Sequence, residues 1–587
     1  GEEWRRALGP VANTSEIKVL AAEEGQRLAA MEREAPLILK RLGYARCAAG
    51  NVAVLDDALP GFDRQAPRML AEALRRRGLG VTLLDADSLA NPWVLDRRCF
   101  DLVLLTDSRA FPATACDSLL AFLSAGGHLA ALNGPAFQRP LWKLGGAWRD
   151  QEGVLEELAG TPERRLLFRF DAEETTGWVR ATNDPSAPSR FTCEKPGAAG
   201  SRRAARLFIA NLSGWDTFAS PPLSSPFPPG HVLTCFAARG DARTSELSVE
   251  WRERDGSRWI AVVPLETRWR RYALPPEAFR YWHDNPSQGR GGSGDTFRPQ
   301  NAETLVFGLA ATHTSSVGGG PHEVWIDEVA TAPLPAEMRH LNEVFGGVER
   351  VPVLEGISPG YKLYPVSGFQ SIQVNSDQVL WRPARLPRPA ATLSPHARPQ
   401  GTGFGKERRW RWVPLLTVRN RDGKTGGAAA TLLLHGKPPY EGGVWLTMPV
   451  TDAAFFRRRE TVAALADVVA RMLDGVFLYE GGARKYACFD GESVELGAEA
   501  VNFGRQHAEV TVQLKVFAPR SDVPLFAHNR HLSLPPGARR AVHTEWHPGR
   551  FAAEEYTVVV ELLRGGKVID FLRHPLTVWR PSPNPAF

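Results

Sequence analysis

Sulfur-containing residues are scarce in this chain of 587 residues, which has six cysteines and five methionines. The cysteines stand far apart and form no CxxC pair, so neither a zinc ribbon nor a disulfide scaffold is indicated. We expect buried thiols, with Cys193 and Cys235 as the one candidate pair for a disulfide bridge.

Long apolar runs are also missing. No stretch approaches the length of about 18 consecutive apolar residues that a membrane span needs. No basic-then-apolar signal peptide opens the chain, but its first residue is Gly1 rather than Met, so a removed signal stays an open alternative. We therefore expect no membrane span, and a secreted or periplasmic location whose signal is not present in this chain.

No region of the chain carries a large excess of positive or of negative charge. The formal net charge is only +6, and the basic residues form short clusters such as that at 75–77. Nucleic-acid binding would need an extended basic stripe, so nucleic acid is not an expected partner.

What the chain does have is a globular composition, with 43% hydrophobic and 23% charged residues. Its length predicts about two to five domains. The 54 glycines and 46 prolines indicate many turns and loops.

The first part of the chain alternates between strand and helix patterns. An N-terminal helical segment is predicted at 1–44, and short apolar runs follow at 52–55, 81–84, 102–105 and 128–132, with helical patterns between them. Continuous apolar strands of this kind are typical of a parallel sheet covered on both faces. Four strands are few for such a sheet, and further strands and a helix return at 412–473. We therefore predict one α/β domain in two parts, 45–155 and 340–480, although four sequential domains stay an open alternative.

The rest of the chain reads as all-β. Short strands separated by Pro/Gly/Ser-rich loops predict an antiparallel β jelly roll at 160–335, inserted into the α/β domain. Residues 376–407 read as a long surface loop, and 485–587 predict an immunoglobulin-like β-sandwich. The fold class is multidomain α/β plus all-β.

Several segments of the α/β part resemble the class I glutamine-amidotransferase-like fold. They are 100–107, 126–134 and 419–424, and the closest variant is the non-catalytic trimerisation domain of certain β-galactosidases. The resemblance implies a flavodoxin-like parallel sheet. In that family a nucleophilic cysteine occupies a tight turn after a central strand. The equivalent turn here is Asn133-Gly134, so amidotransferase activity is not expected, and the catalytic residues stay unassigned.

The inserted β segment resembles a carbohydrate-binding jelly roll of the galactose-binding type. The resemblance is carried by 168–171 with 177–178, by 269–275 and by 325–329. In this type a structural Ca²⁺ ties the first strand to the last, which implies Asp171 or Glu173 with Asp327 as ligands. No nucleotide cofactor is expected, because the turn after the first strand lacks GxGxxG.

Two loops of the inserted segment carry the aromatic, amide and charged side chains that contact sugars. The candidate carbohydrate-binding residues are Trp282, His283, Asp284, Arg290 and Asp295 on a Gly-rich loop and Trp215 on another. The alternative for Trp282 is that its ring merely covers the edge of the sandwich.

These features favour a non-catalytic module that binds a polysaccharide or oligosaccharide and assembles as a homo-oligomer, related to accessory domains of glycoside hydrolases. A β-galactosidase-like glycoside hydrolase is the alternative, because acids such as Asp284, Asp295 and Glu323 are available, although no (β/α)₈ pattern holds them. A structural cell-surface scaffold is the second alternative. Trimerisation-type domains follow a catalytic barrel, so a chain derived from a longer enzyme also stays open.

Overall fold

The structure is a computed structural model that describes Gly25 and residues 47–150, 153–154, 157–158, 161, 163–171, 175–198, 201–283, 289–292, 294–334, 362–397 and 400–580. The helix expected at 1–44 thus lies outside the described residues, apart from Gly25. The chain divides into two compact units. Unit 1 comprises 1–109, 115–136 and 352–587, and unit 2 comprises 110–114 and 137–351.

Strands dominate both units. In the first part of the chain they are β1 (Asn51–Leu55), β2 (Gly80–Leu84), β3 (Leu102–Leu105), β4 (Ala110–Pro112), β5 (His128–Leu132), β6 (Arg139–Leu144), β7 (Ala147–Arg149), β8 (Arg165–Phe168), β9 (Val179–Thr182), β10 (Arg190–Glu194), β11 (Ala204–Leu212), β12 (Trp215–Ala219), β13 (His231–Gly240), β14 (Glu246–Glu253), β15 (Arg258–Pro264), β16 (Arg270–Leu274), β17 (Arg280–Tyr281), β18 (Ala302–Ala310) and β19 (Gly320–Pro333). In the second part they are β20 (Lys362–Pro365), β21 (Phe369–Val374), β22 (Leu393–His396), β23 (Trp410–Asn420), β24 (Thr425–His435), β25 (Val444–Met448), β26 (Val476–Ala483), β27 (Ala487–Phe489), β28 (Val494–Asn502), β29 (Ala508–Phe517), β30 (Pro524–Leu534), β31 (Arg539–Trp546), β32 (Glu555–Arg564) and β33 (Lys567–Trp579).

Helices are fewer among the described residues. The α-helices are α1 (Gln65–Arg76), α2 (Ala86–Ala90), α3 (Cys116–Ser124) and α4 (Arg459–Asp474). Single 3₁₀ turns span Ala113–Ala115, Pro276–Ala278, Pro299–Asn301 and Phe455–Arg457. In the described part of the chain, no helix is long and apolar enough to cross a membrane.

Unit 1 contains an eight-stranded mixed sheet in the order β2-β1-β3-β5-β25-β24-β23-β21. The strands from β2 to β25 pair in parallel, and those from β25 to β21 pair antiparallel. Every residue of β1, β3 and β5 is buried, as continuous apolar strands in a covered sheet require. A flavodoxin-like or amidotransferase-like identity for this sheet stays a prediction.

Helices α1 and α4 bury their apolar residues in the same cluster as one face of this sheet. Leu70 and Leu74 of α1 and Val469 of α4 belong to that core together with Val54 and Leu104. Helix α4 is followed directly by Gly475, whose φ of 73° is left-handed. A Cβ there would lie 1.9 Å from the backbone nitrogen of Gly504, so only glycine allows the chain to enter β26.

The prediction of a long surface loop at 376–407 is wrong. The segment contains β22, and Leu380 and Trp381 are only 4% and 3% exposed. The Trp381 indole donates a 2.8 Å hydrogen bond to the carbonyl of Ala464 on α4. The high Pro, Arg and Gly content suggested a solvated loop, but it does not prevent two apolar side chains from anchoring the segment against the core.

The last part of unit 1 is a β-sandwich of the sheets β26-β28-β31 and β27-β33-β32-β29-β30. Leu478 and Ala498 from the first sheet share a core with Val512 and Val560 from the second. The sandwich begins at β26, earlier than the boundary expected at 485. Its immunoglobulin-like identity stays a prediction.

Unit 2 is a β-sandwich of two antiparallel six-stranded sheets. Sheet 1 has the order β10-β11-β19-β13-β16, with β8 paired to β19, and sheet 2 has the order β17-β15-β14-β18-β12-β9. Phe236 and Val324 of sheet 1 meet Trp251 and Phe307 of sheet 2 in one core. The expectation of a β-sandwich in this part of the chain is confirmed, whereas its assignment as a galactose-binding type is not tested.

Residues 137–150 and 153–154 also pack in unit 2, although their sequence predicted that they belong to the first part of the α/β domain. Trp142 and Val154 are fully buried in a cluster with Leu233 and Ala332 of sheet 1. The short strands β4, β6 and β7 form a small sheet of their own. The apolar contacts of this segment place it in unit 2, and its local helix or strand pattern does not indicate this.

None of the six cysteines forms a disulfide, so the candidate Cys193–Cys235 bridge is wrong. Cys193 is half-buried and packs against the core between the two sheets of unit 2. Cys235 belongs to the separate cluster around Trp142, where burial raises the pKa of its thiol to about 12. The two side chains face different clusters and therefore do not meet.

Candidate functional site

The outer face of sheet 2, which points away from the core of unit 2, carries a set of charged side chains. Side chains alternate between the two faces of a strand. Val249 and Trp251 of β14 point into the core, so Glu250 and Arg252 point outward. On β15, Trp259 points inward and Arg258 points outward.

The three charged residues form one hydrogen-bonded cluster. Arg258 contacts both carboxylate oxygens of Glu250, with Nε–Oε1 and Nη2–Oε2 distances of 2.8 and 2.6 Å. Arg252 Nε donates to Oε1 at 2.7 Å. Burial works to raise the pKa of Glu250, but the hydrogen bonds and charges of both arginines outweigh it and lower that pKa. The carboxylate is therefore ionised at neutral pH and orients both guanidinium groups.

Trp282 lies beside this cluster, directly after β17. Its backbone N–H donates to the carbonyl of Arg258 at 2.9 Å. Its ring packs edge to face against His313, with 4.9 Å between ring centroids and 76° between planes. Burial lowers the pKa of His313, although Glu250 opposes the shift. Trp282 and a neutral histidine thus form an aromatic pair beside the charged cluster.

Trp215, the other predicted tryptophan, lies on the same face but at a distance. It is the first residue of β12 and is 48% exposed, while its neighbour Asp216 is buried on the inner side. Strands β15, β14 and β18 separate β12 from β17. Four steps of about 4.8 Å put the two tryptophans about 19 Å apart across the sheet, so they do not contact one sugar ring together.

Arg290 and Asp295 are engaged inside their own loop region. Arg290 contacts Asp295 at 2.8 Å, Glu253 at 2.6 Å and Asp255 at 3.0 Å, and only 6% of its side chain is exposed. The hydrogen bond from Arg290 is the main reason that the pKa of Asp295 is lowered to about 2. These contacts hold the loop in place. His283 is exposed, and its ring lies 5.9 Å from that of Tyr281. Asp284 lies outside the described residues.

Two of the residues expected to bind calcium, Asp171 and Asp327, accept hydrogen bonds from neighbouring positions of one segment. Asp327 is fully buried and accepts hydrogen bonds from the backbone N–H groups of Ala198 and Glu328, both at 2.7 Å. Asp171 accepts one from the N–H of Arg202 at 2.9 Å. Carboxylate oxygens are the donors that Ca²⁺ prefers, and these two carboxylates contact backbone N–H groups of the same short stretch of chain, at Ala198 and Arg202. In the described part of the chain no group of three or more His, Cys, Asp or Glu residues could hold a metal ion. Glu173 lies outside that part.

The turn after β5 has a strained backbone but no nucleophile. Asn133 is buried and has a φ of 62°, in the left-handed region. Arg109 donates to both oxygens of the neighbouring Asp107 carboxylate, from Nε at 2.9 Å and from Nη2 at 2.8 Å. An amide side chain cannot attack a carbonyl, so this turn offers no amidotransferase chemistry of its own.

The charged cluster and His313 were not among the residues predicted from the sequence. A signal for Glu250 and Arg252 was present, because polar and apolar residues alternate over 246–252, which predicts that both lie on the solvent face. The contact between His313 and Trp282 leaves no such pattern, because it joins two loops that are distant in sequence.

No family model and no curated protein matches this chain. Parts of it are similar to solved structures. The family 11 carbohydrate-binding module from Clostridium thermocellum in complex with a β-1,3-1,4-mixed-linked tetrasaccharide is 13% identical, with 29% of this chain and 95% of that one covered and a TM-score of 0.24. TmCBM61 in complex with β-1,4-galactotriose is 12% identical, with 29% and 99% covered and a TM-score of 0.19. An exo-β-agarase is 10% identical, with 30% and 26% covered and a TM-score of 0.22. At these scores the similarities say nothing about a ligand of this chain.

Proposed function

We propose that the protein binds an oligosaccharide or polysaccharide through the outer face of sheet 2 in unit 2. The observation that carries this proposal is the packing of Trp282 against His313 beside the Glu250–Arg258 pair. Sugars present apolar C–H faces, against which aromatic rings pack, and hydroxyl groups that exchange hydrogen bonds with charged side chains. Both kinds of group occur side by side on this face.

The charged cluster supplies donors in a fixed orientation. Arg252 and Arg258 expose 37% and 33% of their side chains, while the Glu250 carboxylate that positions them is only 5% exposed. Because each guanidinium carries five N–H donors, the two arginines can contact sugar hydroxyls while they keep their bonds to Glu250. Trp215 extends the face and would contact a distant unit of a longer glycan.

The contacts of the candidate acids do not favour a glycoside hydrolase. A catalytic general acid needs a raised pKa, whereas the pKa of Asp295 is lowered to about 2. Glu323 is bound by Arg206, with an Nη2–Oε1 distance of 2.5 Å. We therefore favour binding without hydrolysis. Assembly into a homo-oligomer, a scaffold role and secretion stay predictions.

Calorimetric titration of the full chain with neutral oligosaccharides of β-glucan and β-galactan tests the proposal. We expect Trp282→Ala and His313→Ala each to weaken the affinity at least about tenfold, as for buried aromatic contacts in other interfaces. The matched control is Trp93→Ala in unit 1, which removes a tryptophan that is 52% exposed. Unchanged affinity in both outer-face variants, with unchanged melting temperatures, would contradict the proposal.

A further inference from the structure

A separate cavity lies in unit 1, between β22, β23 and β33. Its volume is about 760 Å³, within the range of about 300–1,000 Å³ that is usual for small-molecule sites. Its lining combines aromatic side chains with two buried arginines and a half-buried histidine. None of these residues belongs to the outer face of sheet 2.

Aromatic rings form one wall of the cavity. His396 stacks on Trp412, with 5.6 Å between ring centroids and 28° between planes. Tyr364 packs edge-on against His396 at 5.5 Å and is 50% exposed, so it lies at the solvent side. Trp410 extends the lining and is 6% exposed. Flat rings of this kind pack against the C–H face of a sugar.

Arg408 is a buried cation without a carboxylate in direct hydrogen-bond contact. Its side chain is 5% exposed, and its Nη2 donates to the carbonyl of Gly403 at 2.6 Å. The nearest acid, Glu480, lies 3.9 Å from the Arg408 Nε and accepts hydrogen bonds from the backbone N–H groups of Lys406 and Arg408. Burial lowers the pKa of Arg408, although Glu480 opposes the shift.

Arg411, the other arginine of the cavity, is hydrogen-bonded to a carboxylate, whereas the Arg408 side chain is not. Arg411 is equally buried, but it binds both carboxylate oxygens of Asp570, at 2.5 and 2.9 Å. Its charge is therefore neutralised within the protein. The charge of Arg408 is neutralised only in part.

Three residues of the lining also carry buried nitrogen atoms with no hydrogen-bond partner among the described residues. They are the Nε of Arg408, the Nε1 of Trp412 and the Nε2 of His574. The arginine and tryptophan nitrogens can only donate, so they need an acceptor. Burial, with the charges of Arg408 and Arg411, lowers the pKa of His574 to about 4 and keeps the ring neutral. Buried polar groups are nearly always paired, so oxygen atoms of a bound molecule would complete this lining.

We infer that this cavity binds a sugar carrying a carboxylate, a uronic acid unit of a glycan, with its ring against Trp412 and its carboxylate toward Arg408. The aromatic wall selects a flat C–H face, the unpaired donors select acceptor oxygens, and the partly neutralised cation selects an anion. A neutral sugar would pack on the aromatic wall and accept hydrogen bonds from the unpaired donors, but it would not neutralise Arg408. A small carboxylate would accept hydrogen bonds and neutralise Arg408, but it has no ring to pack on the aromatic wall. The inference does not depend on glycan binding by unit 2.

Calorimetric titration of the full chain separates these ligands. The probes are glucuronate and galacturonate, the matched neutral sugars glucose and galactose, and acetate as a carboxylate without a sugar ring. We expect at least one uronate to bind at least tenfold more tightly than its neutral counterpart and than acetate. Equal binding of a uronate and its neutral sugar, equal binding of acetate, or no uronate binding would each overturn the inference.

Variants place the binding in this cavity. Trp412→Phe keeps an aromatic ring but removes the indole N–H, and we expect it to weaken uronate binding about fivefold to tenfold, as for one hydrogen bond. Arg408→Met should abolish the preference for uronate over the neutral sugar. Since Arg408 is buried, Tyr364→Ala at the exposed side is the variant that leaves the fold intact, and it should also weaken binding.

The control variant is Trp282→Ala in unit 2, which should leave uronate affinity unchanged. Loss of uronate binding in Trp282→Ala would assign it to the outer face of sheet 2 and overturn the inference. Unchanged uronate binding in both Trp412→Phe and Tyr364→Ala would overturn it as well. If neutral oligosaccharides do not bind, that result contradicts the proposal for the outer face of sheet 2 and leaves the inference about this cavity unaffected.

Discussion

Arg290 in unit 2 and Arg408 in unit 1 have the same burial but opposite surroundings. Their side chains are 6% and 5% exposed, and a glycine-rich segment lies beside each of them. Arg290 binds three carboxylates and lies over the ring of Trp259, with 5.0 Å to the centroid. Arg408 has one backbone carbonyl as acceptor and an acid at 3.9 Å.

The difference separates a structural arginine from one that can hold a ligand. The carboxylates around Arg290 raise its pKa despite burial, whereas burial dominates at Arg408 and lowers it. A buried cation that is fully paired stabilises its own loop, and one that is incompletely paired can still gain from an incoming anion. The residue type alone does not distinguish the two.

Replacement of Arg290 should have the largest effect. Arg290→Met leaves Glu253, Asp255 and Asp295 close together without their cation, so we expect a loss of about 3–5 kcal/mol in the free energy of unfolding. Chemical denaturation measures it. Arg298→Met, at an arginine that is 49% exposed, is the control and should change stability by less than about 1 kcal/mol. If Arg290→Met and Arg298→Met both lower the free energy of unfolding by a similar small amount, Arg290 is not a structural arginine and does not differ from Arg408 in this respect.

Acid conditions should affect the surroundings of Arg408 through His574. The pKa of His574 is about 4 in the folded protein, below the ordinary value of about 6.5. As the pH falls below 6.5, His574 therefore becomes protonated in the unfolded chain but stays neutral in the folded protein. The free energy of unfolding consequently decreases below its value at neutral pH. Between pH 7 and 5 we expect this residue to account for about 1–2 kcal/mol.

Urea denaturation at both pH values, for the natural chain and for His574→Gln, isolates that contribution. The variant should lose about 1–2 kcal/mol less than the natural chain over this interval. An identical pH dependence would show that His574 takes up its proton as readily in the folded protein.

Asp327 is a buried carboxylate that a bound metal ion would stabilise. Burial raises the pKa of this carboxyl group, although backbone N–H groups and Ser201 donate to it. We predict that Ca²⁺ at tenfold excess over its dissociation constant stabilises unit 2 by about 1.4 kcal/mol. Calorimetric melting with Ca²⁺ or with a chelator measures the shift, which Asp327→Asn should abolish. A natural chain whose melting temperature does not respond to Ca²⁺ would contradict the calcium site expected from the sequence.

Replacement of Arg408 should have the smallest effect on stability. Arg408→Met leaves one acid, Glu480, which keeps both of its backbone hydrogen bonds. We expect a loss of about 1 kcal/mol, because a poorly paired buried cation adds little to stability. Denaturation under the conditions used for Arg290→Met gives the direct comparison. A loss as large as that of Arg290→Met would show that Arg408 is structural.

Much of the β-sandwich in unit 2 could be predicted from the sequence, because its strands alternate apolar and polar residues between clear turns. The parallel strands of unit 1 could also be located, since each is a short continuous apolar run. The segment at 376–407 could not, because burial of Leu380 and Trp381 depends on the surface of α4 and not on local composition.

The candidate sites were harder to predict, for a physical reason. Trp282 could be singled out as a residue type suited to sugars, but its partner His313 could not. Arg290 and Asp295 have suitable chemistry, yet they bind each other. Whether a polar group is paired depends on contacts between distant segments, and a single sequence does not contain them.

The central sheet of unit 1 also has a consequence for how this protein is made. Strand β5 pairs with β25, roughly 300 residues later in the chain. At a translation rate of about 5–20 residues per second, the edge of β5 waits about 15–60 seconds for its neighbour to leave the ribosome. Until β25 is synthesised, that edge of β5 lacks its native neighbour, and an unpaired strand edge is a site where non-native strand pairing can begin.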